Sequence, residues 1–157
     1  MNSGTTLIGL LLALMIAGPI IYFIARATIE KKTIQRKIRE LSDSYHLGPS
    51  EHHSFNRHHF VMDTLQKKIL YIEFAKSKLE RHIVFDSGSI KHCEISIDSY
   101  KGPTKMEVIR EIYMVVNDVA GQCHSILLFS EKDGDSLLAS EVKREAENVV
   151  KRIKSLF

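Results

Sequence analysis

The sequence predicts an α+β chain. A membrane-spanning N-terminal helix runs on as a helical stalk, and an antiparallel β domain closed by a C-terminal helix follows. Three observations lead there. Residues 5–25 carry no charged side chain and are followed by Arg26, Lys31, Lys32, Arg36, Lys37 and Arg39. Between 58 and 129, short stretches rich in β-branched and aromatic residues alternate with polar turns. From Leu138 onward the period changes, and apolar residues recur at three and four.

The uncharged run has the length, roughly 20 residues, that a helix needs to cross about 30 Å of hydrocarbon. No Lys or Arg precedes it. The positive-inside bias therefore places the N-terminus outside and the following domain in the cytoplasm, as in a single-pass membrane protein. A cleaved signal peptide is the rival, since Ala25-Arg26-Ala27 resembles a cleavage site. It lacks a basic leading segment, and its apolar core exceeds the usual ~7–15 residues, so a retained anchor is favoured. Pro19 lies inside the run, where a membrane helix tolerates it. Gly9, Ala13 and Ala17 share one face and would allow close helix–helix approach. The expected organisation is an anchor over 1–25, an amphipathic stalk over 26–47, a histidine-rich linker over 48–57 and a β domain over 58–157.

The formal net charge of +3 in 157 residues is accounted for by the basic residues after the anchor. The rest is close to neutral, which argues against a nucleic-acid surface. Cys93 and Cys123 are the only cysteines, and both fall within alternating apolar stretches. Both are expected to be reduced, buried and structural.

In the stalk, Ile20, Ile24, Ala27, Lys31, Ile34, Ile38, Leu41 and Tyr45 follow a four-three spacing. That seam fits an amphipathic helix lying on the domain or on lipid headgroups. It also fits a short parallel coiled coil, making a homodimer through the 20–45 helix. Gly48 and Pro49 should end the helix. In the linker, His52, His53, His58 and His59 are the candidate metal ligands. Their spacing matches no standard zinc pattern, and adjacent histidines on extended chain point to opposite faces. A polar linker is favoured there, with no metal and no cofactor.

Strands are expected over 58–63, 68–74, 80–85, 90–97, 107–117 and 123–129. Within them Cys93, Ile95 and Ile97 should face the core, as should Val108, Ile112, Met114 and Val116. The closing helix presents Leu138, Val142, Ala146, Val149, Ile153 and Leu156 on one face. Asp135 or Ser136 is its expected N-cap. Its late Lys151, Arg152 and Lys154 suit the helix dipole.

The order of six strands and a helix, with the stretches 60–63 into 68–72, 83–95 and 112–118, resembles the pleckstrin-homology-like (PH-like) fold. In particular it resembles the small bacterial domains of that superfold. The resemblance implies a bent sheet or partial barrel capped by the last helix, and a fold rather than a function. Lipid-binding members of the superfold carry basic clusters in the early turns. The corresponding candidates here are Lys67, Lys68, Lys76 and Lys78. Peptide binding along a sheet edge or beside the last helix suits the architecture better, with Ile126, Leu128, Val142 and Val149 as candidate groove residues. Nucleophile-elbow, phosphate-loop and metalloprotease patterns do not occur. His82, His92 and His124 lie in strands and could meet Glu80, Asp86 or Glu94, but no catalytic residue is predicted. The function expected is that of a membrane-anchored, non-catalytic interaction or scaffold protein. A membrane-proximal lipid-headgroup, metal or pH sensor is the alternative.

Overall fold

The computed structural model of the chain describes residues 3–102, 107–132, 134 and 136–156, with side chains from Met15 onward except that of Ser136. A long helix α1 (Ser3–Ser44) leads into β1 (Ser50–Phe55), β2 (His58–Asp63), β3 (Lys68–Ala75) and β4 (Lys78–Asp86). After a 3-10 turn come β5 (Ile90–Lys101), β6 (Glu107–Asp118), β7 (Cys123–Ser130) and α2 (Ser136–Lys154). The strands form two antiparallel sheets, ordered β1-β2-β3-β4 and β5-β6-β7.

The membrane anchor is not supported. Among the described residues no helix is long and apolar enough to cross a membrane. From Arg26 onward α1 carries a charged residue in every turn. The single-pass topology, the cytoplasmic placement and the membrane as a partner fall with the anchor. Gly9 and Ala13, and the expected caps Asp135 and Ser136, lie outside the described side chains.

Each sheet turns one face to a shared core. Phe60 and Met62 of β2 and Ile69 and Tyr71 of β3 meet Cys93, Ile112, Met114, Val116, Ile126 and Leu128 of the second sheet. Ala139, Val142, Ala146, Val149 and Ile153 of α2 complete this core. Their spacing of three and four puts them on one helix face, so α2 buries an apolar stripe while its charged residues stay outside.

The first sheet is buried on its other face as well. Val61, Leu70, Ile72 and Phe74 pack against Ile38, flanked by Ile34, Leu41, Tyr45 and Leu47. The C-terminal half of the stalk seam is therefore spent on the protein's own sheet, which removes it from any coiled coil. The N-terminal seam residues Ile20 and Ile24 remain exposed. α1 closes where His46 enters the left-handed region at φ 54° and the Leu47 N–H reaches the Ser42 carbonyl at 2.9 Å.

The segment read as a linker contains β1, whose residues pair with β2 from Ser50–Asp63 to Phe55–His58. Asn56, with φ 53°, makes the tight turn between them. Cys93 is buried and its thiol is pushed up to about 11 by burial. Cys123 is exposed at the start of β7, contrary to expectation. Ile97, expected in the core, is 37% exposed.

Candidate functional site

The four linker histidines do not converge. The strand alternation splits them, and the two faces of the first sheet lead to different surroundings. His53 faces the inner side of β1, with Nε2 3.8 Å from Glu51 Oε2. Glu51 in turn holds Arg152 of α2, the Nε–Oε2 distance being 2.7 Å, which ties the helix to the edge of the first sheet.

His58 is fully buried between the sheets. Its Nε2 lies 3.0 Å from the Leu128 carbonyl oxygen, which can only accept, so that nitrogen carries the hydrogen. Nδ1 is then the acceptor, and the Tyr71 hydroxyl stands 2.9 Å away. Burial, together with Arg57, holds the His58 imidazole down at about 4. Tyr71 Oη also lies 3.2 Å from Glu73 Oε2, and Glu73 Oε1 lies 3.1 Å from Arg57 Nε. The single phenolic hydrogen serves one of these acceptors at a time. This chain of polar groups cross-links β2, β3 and β7 and has no exposed histidine edge for a substrate.

His52 and His59 do meet, on the outer face of the first sheet. His52 Nε2 is 3.2 Å from His59 Nδ1. They line a cavity of about 400 Å³ under α1, together with Ala27, Glu30, Ile34 and Gln35. The His59 ring also packs edge-on against Phe74. Among the described residues no group of three or more His, Cys, Asp or Glu side chains is placed to hold a metal.

The candidate lysines are divided too. Lys67 and Lys68 sit at one end of β3, and Lys76 and Lys78 sit at the other, about 23 Å away along the strand. They form two separate turn edges rather than one phosphate-binding cluster. Of the strand histidines, His82 Nε2 lies 3.0 Å from the Tyr45 hydroxyl of α1, and His124 packs against Phe85. His92 does meet a carboxylate, Glu94, at 2.9 Å, with both side chains half exposed.

The expected groove residues Ile126, Leu128, Val142 and Val149 are all 1% exposed and belong to the core. A groove beside the last helix nevertheless exists, one strand further out. β5 pairs with β6 and is an edge of its sheet. Between β5 and α2 lies a depression of about 350 Å³. Ile95 and Val150 form its floor, with Glu94 on the strand side and Glu147, Lys151 and Lys154 on the helix side. Strand alternation assigns Ile95 to the core face rather than to a groove. The helix residues are i, i+3, i+4 and i+7 from Glu147, a polar flank of the amphipathic stripe that periodicity alone assigns to solvent.

Comparison with known proteins finds no matching family model, no curated protein and no solved structure similar to this chain.

Proposed function

We propose that this chain is a non-catalytic interaction or scaffold protein. In this reading its β domain, PH-like in architecture, receives an extended segment of a protein partner along the edge of β5, beside α2. Sheets of four and three antiparallel strands with a C-terminal helix across the core support the PH-like reading.

The observation that carries the function is the groove between β5 and α2. An edge strand presents unpaired N–H and C=O groups, which an added strand can satisfy. β5 has twelve residues, long enough for a ladder. The apolar floor of Ile95 and Val150 takes one side chain of the partner, and the Lys151 and Lys154 ammonium groups take a carboxylate beside it. An extended peptide with an apolar residue next to an acidic one fits this groove.

Peptides selected from a random display library on the full chain test the proposal. Selected sequences should share an apolar–acidic pair. Their affinity should fall at least about tenfold when Lys151→Glu and Lys154→Glu are combined, both residues being exposed. Peptides that bind the double variant as well as the parent would overturn the groove as the site.

A further inference from the structure

We propose that His52 and His59 form a two-coordinate site for a soft monovalent cation of the copper(I) class. The argument starts from how the two rings face each other. Their planes lie within 16° of parallel and their centroids are 5.4 Å apart, 2.2 Å more than the nitrogen separation of 3.2 Å. That difference is the ring-centre-to-nitrogen distance taken twice. The nitrogens are therefore as close as those centroids allow, and both lie on the line joining the ring centres. Two imidazoles point lone-pair positions at one another, head to head, with room for one small electrophile between them.

In the metal-free protein that electrophile is a hydrogen. One ring donates N–H and the other accepts. A hydrogen shared between the two facing nitrogens needs one of them to accept it, so that ring is neutral, the state in which imidazole ligates metal. A cation replaces the bridging hydrogen when the donor ring shifts that hydrogen to its outer nitrogen, so binding at pH 7 releases no proton.

The geometry selects the ion. A divalent zinc or nickel ion needs four ligands, and no third His, Cys, Asp or Glu is placed to help among the described residues. A d10 monovalent ion is satisfied by two nitrogens in a line. With bonds of about 2.0 Å the nitrogens would stand about 4 Å apart, so the pair opens by about 0.8 Å. His52 is on the edge strand β1 and can supply that movement. The cavity under α1, lined beside the two rings by Glu30, Lys31, Ile34, Gln35 and Ser54, is the entry path.

The test is oxygen-free titration of the full chain with copper(I) against a chromophoric copper(I) chelator, followed by X-ray absorption. It is done in a Cys123→Ser background because that exposed thiol is itself a soft ligand. The expected result is one equivalent bound through two nitrogens in a line. His53→Ala should leave it unchanged. His52→Ala and His59→Ala should each weaken it by at least about 100-fold, the upper end of what loss of a supporting group costs. His52 is exposed on an edge strand, so its variant remains informative if the His59 variant fails to fold. Absence of binding, sulfur in the metal shell, or affinity unchanged in the His52 variant would overturn the site.

Discussion

At the scale of the residue, two buried polar side chains carry more of the fold than their number suggests. His58 is held neutral in the folded protein at about 4, against about 6.5 when unfolded. The sign follows directly. As pH falls below 6.5 the unfolded chain takes up the proton first, so the stability due to neutral His58 is complete above that value. It is lost progressively down to about 4, a total of about 3 kcal/mol. Urea unfolding at a series of pH values should show this loss, and His58→Gln should remove the share due to His58 while that of His59, which burial likewise holds down at about 4, remains. Asp63 works differently. Its side chain is fully buried, and Oδ1 accepts the N–H groups of Leu65 and Gln66 at 2.8 and 2.9 Å while Oδ2 accepts that of Gly48 at 2.6 Å. These hydrogen bonds, that of Gln66 foremost, hold the carboxyl below its ordinary range. Asp63→Ala leaves three backbone donors without this acceptor and should destabilise the chain by about 3 kcal/mol in the same measurement.

At the scale of the element, the second half of α1 belongs to the domain. Ile38 is 9% exposed, and it packs on Val61, Leu70, Ile72 and Phe74. Ile38→Ala should cost about 2 kcal/mol, and Ile38→Asp should free 34–44 to exchange amide hydrogens while β6 stays protected. This packing was half legible in the sequence. The four-three seam located the face that α1 buries, but not what it is buried against. The partner was written in β2 and β3, where 60–62 and 69–72 are apolar without alternation. A strand pattern of that kind means both faces are covered. β1 was missed because Ser50-Glu51-His52-His53-Ser54 has almost no apolar content, and its pairing is dictated by its neighbour β2 rather than by its own propensity. The strands of the second sheet and α2 were legible because one face of each meets the core. The histidine site was legible only as a composition. Which two rings meet depends on β1–β2 register, and one residue of slip would exchange their faces.

At the scale of the whole molecule, the two sheets and two helices divide the labour. α2 seals the shared core, α1 seals the outer face of the first sheet, and the edge of β5 is left beside a small groove of mixed charge. The buried histidine is spent on joining the sheets, and His92 and Glu94 pair with each other on the exposed strand. The central claim is that an added strand docks on β5. The measurement that tests it most directly is amide hydrogen exchange along 91–101 in the full chain, free and saturated with a library-selected peptide. The account predicts that alternate amides of β5 become protected at least about tenfold on binding, the period-2 signature of a new ladder, while β1 and β4 are unchanged. Protection confined to another edge, or none in β5 while the peptide is bound, would contradict it.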